Sequence, residues 1–125
     1  MAYLKFTELE VWKESRKLRK EIYDLTKKFP NEEKFRMVDQ MIRSTRSICA
    51  NLAEGHGRYH FQENIQFTRM ARGSLTETLN HLTDALDCEL ITENTFELMK
   101  VQIDKIERIM NGYISYLKKQ KSKSL

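Results

Sequence analysis

The residues most suggestive of chemistry in this 125-residue chain lie between Ser47 and His60, in the stretch SICANLAEGHGRYH. The stretch holds Cys49, Glu54, two histidines and two glycines. Thiol, carboxylate and imidazole groups are the side chains that bind metal ions and carry out nucleophilic catalysis. Two hypotheses follow: a metal or catalytic site, or the end of a helix followed by a turn.

A metal site is not supported by the spacing of the possible ligands. A ferritin-like di-iron bundle needs Glu-x-x-His twice and two further glutamates, and Glu-x-x-His occurs nowhere in the sequence. His56 and His60 are four residues apart, but the glycines on both sides of His56 disfavour a continuous helix. Glu77 and His81 are also four apart, yet they supply only two ligands. We expect no metal and no cofactor.

Nucleophilic catalysis is equally poorly supported. Cys49 falls among inward-facing helical positions, where a thiol is normally an inert apolar group. Glu54 neighbours His56, but no nucleophile accompanies them and no glycine-rich loop follows a strand. The start MAYLKFTELE lacks the apolar segment of a signal peptide, so we expect a cytoplasmic protein with reduced thiols at Cys49 and Cys88. The chain is predicted not to be an enzyme.

The elements that must position these residues are predicted to be helices. Four glycines and one proline are too few for a β-sandwich, whereas 32% charged and 40% hydrophobic residues suit amphipathic helices. We predict an all-α, antiparallel up-down-up-down four-helix bundle over residues 1–117 and a basic flexible tail over 118–125. The predicted helices span about residues 8–29, 32–55, 61–88 and 93–117.

Local signals predict where three of these helices start. Thr7 and Glu10 form an S/T-x-x-E capping box, with Phe6 and Val11 at the positions of a hydrophobic staple. Asn31 and Thr92 are the predicted caps of the second and fourth helices. The inner faces, read from the helical period, are Val11, Leu18, Ile22, Leu25 and Phe29; Phe35, Val38, Met41, Ile42, Thr45, Ile48, Cys49 and Leu52; Phe67, Met70, Ala71, Leu75, Leu79, Leu82 and Leu86; and Phe96, Met99, Ile103, Ile106, Met110, Tyr113 and Leu117.

Further apolar residues lie off these inner faces, and they leave two interpretations open. They could cover helix ends as scattered surface residues, or they could form a subunit interface. They are Tyr3, Leu4, Leu9, Trp12, Leu98, Ile109 and Tyr116.

A polar stripe runs along the second predicted helix at intervals of four, three, four and three residues. Small and amide side chains of this kind favour a close, hydrogen-bonded helix contact. The stripe consists of Gln40, Ser44, Ser47, Asn51 and Glu54. Its predicted partner is ARGSLTE on the third helix, where Ala71, Gly73 and Ser74 permit close approach and Glu77 accepts hydrogen bonds. With the turn centred near Arg58, Gln40 would lie near Thr76 and Glu77, and Ser44 near Arg72 and Gly73.

Basic residues supply the functional candidates, because arginine and lysine bind phosphates. The net charge of +4 equals the four lysines of the tail, which leaves 22 − 4 = 18 basic and 18 acidic residues in the rest of the chain. Any binding surface there must arise from segregation of charge; the alternative is ordinary surface ion pairing with Glu14, Glu21, Asp24 and Asp39. A second basic cluster on the first helix consists of Arg16, Lys17, Arg19 and Lys20. The candidates are Arg43, Arg46, Arg58, Arg69 and Arg72 on the hairpin and Arg16 and Lys20 from this cluster. No sequence-specific DNA- or RNA-reading motif is present.

The successive motifs FTELEVW, FP followed by E, QMIRSTRSICANLAEG and ARGSLTE resemble those of four-helix bundle proteins encoded in intervening sequences of bacterial 23S rRNA genes. The similarity spans Phe6 to about Leu90, and the last helix matches only in pattern. Related members include the accessory variability determinant of diversity-generating retroelements, a barrel-shaped pentamer whose basic surface binds nucleic acid and a reverse transcriptase.

The resemblance implies a homo-oligomer, a ring of five, with a non-enzymatic role around RNA or DNA. A reverse transcriptase or another protein is a further implied partner, and no membrane is implied. The positions that match the family motif are Gln40, Arg43, Ser47, Asn51, Glu54, Gly55, Ser74 and Glu77, and they are expected to determine fold and assembly. One of two basic positions common in the family is apolar here, at Ile42. The alternative function is a protein-interaction or scaffold module without a nucleic-acid role.

Overall fold

The computed structural model describes residues 4–124, which fold into an all-α four-helix bundle and contain no strand. The helices are α1 (Glu10–Thr26), α2 (Asp39–His56), α3 (Phe61–Asp87) and α4 (Glu93–Lys123). Short helical turns precede two of them: a 3-10 turn at Phe6–Glu8 before α1, and a 3-10 turn at Asn31–Glu33 with a π-helix at Lys34–Val38 before α2. None of the helices in this range combines the length and apolarity needed to cross a bilayer.

Contacts between α2 and α3 show that these two helices run in opposite directions. Ser44 Oγ lies 2.8 Å from Thr78 Oγ1, whereas Gly55, near the end of α2, lies against Asn64 in the first turns of α3. The α3–α4 pair has the same sense, because Lys121 near the end of α4 donates to Gln62 near the start of α3. Consecutive helices therefore neighbour each other, as short connections require.

The core has a main part and a smaller part at one end of the bundle. Side chains from all four helices fill the main part, among them Leu18, Ile22, Met41, Ile48, Leu52, Leu75, Leu82, Ile106 and Met110. A second cluster of Ile65, Ile114 and Leu117 joins the start of α3 to the end of α4. Burial of each large aliphatic side chain stabilises the fold by about 1.5–3 kcal/mol.

The start of α1 differs from the predicted capping box. The backbone N–H of Lys5 donates to Glu8 Oε2 at 2.9 Å, so the carboxylate that caps this end belongs to Glu8, and Glu10 is the first residue of α1. Phe6 packs edge-on against the Trp12 ring, at 5.1 Å between centroids, in place of the predicted staple. The 3-10 turn shifts the cap because it satisfies the first free N–H groups before α1 begins.

Two residues predicted on inner faces lie at the surface. Phe35 is 86% exposed because the π-helix changes the angular phase of the residues before Asp39, and Met37 takes the buried position. Met70 is also exposed, while Thr78 and Ala85 of the same helix are buried. The burial of Thr78 was not predicted, because the inner face of this helix was assigned from apolar residues alone.

The predicted flexible tail is wrong for residues 118–123, which form the last turns of α4. Nothing in this segment stops a helix, because it contains neither glycine nor proline. The predicted cap at Thr92 is confirmed: its Oγ1 accepts the Thr95 N–H at 3.1 Å.

Candidate nucleic-acid interface

The structure brings four basic side chains together between α1 and α2, although the sequence assigned them to separate clusters. Residues 16, 19 and 20 share one face of α1, and the turns of α2 that carry Arg46 and Cys49 lie opposite that face. We call this surface the basic groove. Arg19, Lys20 and Arg46 line its depression, and Arg16 lines the adjoining one on the same face of α1. Arg19 belongs to the basic cluster predicted on the first helix but was not among the chosen candidates, because only its packing beside α2 distinguishes it from the other basic residues of α1.

The basic groove is an open depression of about 430 Å³ with a partly apolar wall. Tyr23 and Ile42 contribute that wall, and the guanidinium of Arg16 lies 5.8 Å from the centre of the Trp12 ring. Asp24 is the carboxylate on the rim, and it already pairs with Lys27 at 3.4 Å. Within residues 4–124, no carboxylate lies within 4.0 Å of the four cations that define the groove. Their charges are therefore available to an external anion.

Cys49 lies beneath this groove and does not cancel its charge. Burial raises the pKa of the Cys49 thiol, and the neighbouring guanidinium groups of Arg19 and Arg16 only partly oppose that effect. The side chain therefore stays a neutral thiol at physiological pH. The expectation of a buried thiol holds at Cys49, whereas Cys88 is exposed beside Asp84.

The predicted hairpin arginines do not form one surface. Arg43 is exposed and pairs with Asp39 at 3.8 Å. Arg72 Nη1 donates to Asn111 Oδ1 at 2.8 Å and so links α3 to α4. Arg69 lies exposed on α3. Arg43 lines a different groove, with Gln40 and Glu77, and Arg69 and Arg72 lie on α3, so none of the three lines the groove that contains Arg46.

Arg58 is occupied by interactions within the hairpin turn. Its guanidinium lies 3.0 Å from Glu54 Oε1 and 3.6 Å from Glu63 Oε2. It also lies 4.8 Å from the centre of the Phe67 ring. The prediction that Arg58 binds phosphate is not favoured by this geometry, because two carboxylates already pair with its guanidinium.

The polar stripe of α2 makes hydrogen bonds to α3, but in a register different from the predicted one. Ser44 Oγ pairs with Thr78 Oγ1 at 2.8 Å, and Ser74 Oγ donates to Ser47 Oγ at 3.0 Å. Asn51 Nδ2 donates back to the Ser47 carbonyl oxygen and hydroxyl. The contact predicted between Ser44 and Gly73 is wrong, because the turn after α2 folds back on its last residues and shifts the register of α3.

That turn shows which glycine permits close approach. The Gly57 N–H bonds to carbonyl oxygens of Ala53 and Glu54, which keeps the chain tight against α2. A Cβ on Gly55 would lie 2.7 Å from Asn64 Oδ1 and 2.8 Å from Phe67 Cβ. A Cβ on Gly73 would meet no atom within 4 Å, so the prediction that Gly73 permits close packing is wrong. Gly55 has that role instead.

The rest of the stripe borders a second, less basic groove. Gln40, Arg43 and Glu77 line it together with the exposed ring of Phe35. Glu77 Oε2 also lies 3.0 Å from His81 Nε2. A carboxylate is thus present beside each basic group here, which makes this groove a weaker anion site than the basic groove.

The two histidines of the stretch Ser47–His60 make unrelated contacts. His56 Nε2 donates to the Leu4 carbonyl oxygen at 2.6 Å and ties the start of the chain to the end of α2. His60 packs edge-on with Tyr59. Within residues 4–124, no three His, Cys, Asp or Glu side chains come close enough to hold a metal ion.

Both the sequence and the fold of this chain are similar to those of known proteins. The model of a family described as 23S rRNA-intervening sequence protein matches residues 7–112. A crystal structure of a protein of unknown function from the S23 ribosomal protein family of Bacteroides thetaiotaomicron VPI-5482 is similar with a TM-score of 0.79. The two chains share 26% identity over 90% of this chain and 99% of the other. No curated protein matches.

Proposed function

The chain belongs to the 23S rRNA-intervening sequence protein family, and from this premise we propose that it is a non-enzymatic accessory protein that binds structured RNA or DNA as a homo-oligomer. It contacts phosphates through the basic groove and does not read sequence. The single observation that carries the proposal is the convergence of Arg19, Lys20 and Arg46 in one depression, with Arg16 in the adjoining one, where no carboxylate of residues 4–124 pairs with them.

The charges of the groove suit a phosphate backbone. Neutralising phosphates releases condensed counterions, and this term dominates non-specific binding to nucleic acid. Arginine adds a planar, bidentate donor that matches phosphate oxygens, and three of the four cations are arginines. Tyr23 and Trp12 add aromatic surface to the same face.

Charge segregation supports this surface despite the neutral average of the body. Residues 84–97 contain five carboxylates and neither lysine nor arginine: Asp84, Asp87, Glu89, Glu93 and Glu97. These acids lie at the α3–α4 connection, on elements other than the two that form the groove. A balanced count therefore coexists with a basic surface and an acidic one, and the basic one attracts polyanions.

The absence of sequence-specific reading follows from how the groove is built. α1 and α2 lie side by side in the bundle, and both contribute to the core. The groove presents Lys and Arg tips, which position a phosphate backbone but carry little base information. We therefore propose recognition of nucleic-acid shape and charge.

Exposed apolar residues support the oligomer. Leu98 and Val101 are 64% and 66% exposed on one side of α4, and such residues favour burial against another copy. Of the extra apolar residues found in the sequence, Leu4 and Tyr116 are also exposed, Leu9, Trp12 and Ile109 are partly buried on the core, and Tyr3 lies outside the described residues. The ring of five rests on the family resemblance, and multi-angle light scattering that gives five chain masses would support it.

A salt series tests nucleic-acid binding. We expect the chain to bind a hairpin RNA and a DNA duplex at low salt. The triple variant Arg16→Gln, Lys20→Gln and Arg46→Gln should lower affinity and reduce the slope of log K against log salt by about one unit per lost phosphate contact. The matched control removes three exposed cations elsewhere: Lys34→Gln, Lys100→Gln and Arg108→Gln. Absence of binding by the native chain, or equal loss in both triple variants, would overturn the proposal.

The alternative is a scaffold that binds only proteins, and the exposed Leu98, Val101 and Phe35 favour it. In that case neutralising the basic groove would leave function intact, while Leu98→Ser with Val101→Ser would abolish partner binding. A reverse transcriptase or another protein partner would contact this apolar surface in either case.

A further inference from the structure

We propose that the end of the bundle where α2 turns into α3 is a second nucleic-acid site, specific for an unpaired, single-stranded segment whose bases stack on exposed aromatic rings. This inference rests on the proposed function and extends it, because it adds contacts with unpaired bases to the phosphate contacts assigned to the basic groove.

Four parts of the chain meet at this end. His56 holds the Leu4 carbonyl oxygen at 2.6 Å, and Lys121 Nζ donates to Gln62 Oε1 at 2.6 Å. The segment before α1, the α2–α3 turn, the start of α3 and the end of α4 therefore surround one cavity of about 490 Å³. We call it the aromatic cavity.

Aromatic rings line this cavity, and several of them are open to solvent. Tyr59 is 91% exposed and Tyr116 is 54% exposed, and the Phe61 ring lies between α3 and the turn at the same rim. Such exposure of large rings in one place is costly in water and is typical of surfaces that bind planar ligands.

Contacts within the fold hold the rings of the aromatic cavity in place. Asn64 is buried, and its Nδ2 donates to the Tyr113 hydroxyl at 3.0 Å. The rings of Tyr113 and Tyr116 are nearly parallel, 13° apart, with 6.4 Å between centroids. Tyr116 thus has a fixed neighbour within the fold and presents its other side outward, so little ordering is needed when a base stacks on it.

The charge around the cavity fits a nucleic-acid strand. The end of α4 carries four lysines, at 118, 119, 121 and 123, and no Asp or Glu follows Glu107. Of these lysines, Lys121 lies beside Tyr59 and Phe61 at the rim. The acids of this end are engaged elsewhere: Glu54 and Glu63 pair with Arg58, and Glu8 accepts the Lys5 N–H. A groove of basic residues with aromatic rings beside it is how proteins hold single strands without reading their sequence.

A stacking assay with ring-deletion variants tests the proposal. The probe is a single-stranded RNA of about 12 nucleotides that carries one 2-aminopurine, whose fluorescence reports stacking. Tyr59→Ala and Tyr116→Ala should each weaken binding about ten-fold and remove the fluorescence change, because each ring supports one base. Tyr59→Phe should retain both. Phe35→Ala, which removes an equally exposed ring far from this cavity, is the matched control and should change neither.

The outcomes separate this inference from the function it rests on. If the native chain binds neither duplex nor structured RNA, the proposed function fails. If it binds them through the basic groove, yet Tyr59→Ala and Tyr116→Ala bind the single strand as the native chain does, only the aromatic cavity is overturned. The same holds if Tyr59→Ala lowers the oligomeric mass in light scattering while the oligonucleotide affinity stays constant, because the ring would then contact another subunit.

Discussion

At the scale of single residues, Glu14 shows how side chains in this bundle acquire partners that helical spacing alone does not reveal. Its buried Oε1 lies 3.3 Å from Lys17 on the same helix and 3.5 Å from Lys105 on α4. Burial alone would raise the pKa of the Glu14 carboxyl, but the two ammonium groups outweigh it and hold the pKa below its usual value. The ionised carboxylate therefore stabilises the contact between α1 and α4.

This pKa direction predicts a pH-dependent contribution to stability. A carboxyl whose pKa is lower in the folded state contributes stability above its unfolded pKa and loses it as the pH falls through the folded pKa. Glu14→Gln should lower the free energy of unfolding by about 1 kcal/mol at pH 7. The difference should shrink in acid and vanish below the lowered pKa of the folded-state carboxyl. Urea unfolding at several pH values measures it. Glu21→Gln, an exposed change on the same helix, is the control, and an equal effect there would contradict the prediction.

At the scale of elements, the α2–α3 hairpin is closed by a combination of small residues and hydroxyl pairs. Gly55 brings the two helices together at the turn, and the Ser47–Ser74 and Ser44–Thr78 contacts continue the seam toward the middle of the bundle. Hydroxyl groups can form such a seam because Ser44 Oγ and Thr78 Oγ1 also lie within hydrogen-bond distance of carbonyl oxygens on their own helices, at Met41 and Ser74. No buried side-chain nitrogen or oxygen of residues 4–124 lacks a hydrogen-bond partner.

The surroundings of Gly55 in the hairpin and of Gly112 on α4 predict opposite effects on stability when each glycine is changed to alanine. Gly55→Ala should destabilise the fold by about 1–3 kcal/mol, because Phe67 Cβ is fixed to the backbone and cannot move away from the new methyl group. Gly112→Ala meets open space on α4, so better helix propensity should stabilise the fold by about 0.5–1 kcal/mol. Thermal and urea unfolding measure both. If both variants gain stability, the close approach at Gly55 is not a packing constraint.

At the scale of the whole molecule, the two ends of the bundle differ in charge and in packing. The α3–α4 connection is acidic, whereas the opposite end carries the lysines of α4 and the aromatic cavity. The small core of Ile65, Ile114 and Leu117 closes that basic end. The last turns of α4 thus serve both the stability of the bundle and the display of positive charge.

Two truncations should separate these roles. A chain ending at Leu117 keeps the small core and should lose less than about 1 kcal/mol of stability, because the described residues that it removes are exposed except for the half-buried Gln120. A chain ending at Gly112 loses Ile114, Leu117 and the Tyr113 hydroxyl that pairs with Asn64. Its stability should fall by about 3–6 kcal/mol, a large part of that of a small domain. Equal stability of the two chains in urea unfolding would contradict the role of the small core.

The sequence by itself determined the helical class, four helices and most of the main core, because helical periodicity is a local property of the chain. It also determined the Thr92 cap and the two residues, Ser44 and Ser47, whose hydroxyl groups join α2 to α3. These features depend on residue type and spacing within one element, and the sequence states both.

Only the tertiary structure decided which side chains act together. It joined Arg46 to Arg19 and Lys20 and separated it from the other hairpin arginines. It set the register of the hairpin, turned Phe35 outward through a π-helix, and placed Lys121 beside Gln62. The physical reason is that a groove or a cavity depends on the rotation and axial shift of one helix against another. A turn of a few residues fixes both quantities, and the periodicity of a single helix does not contain them.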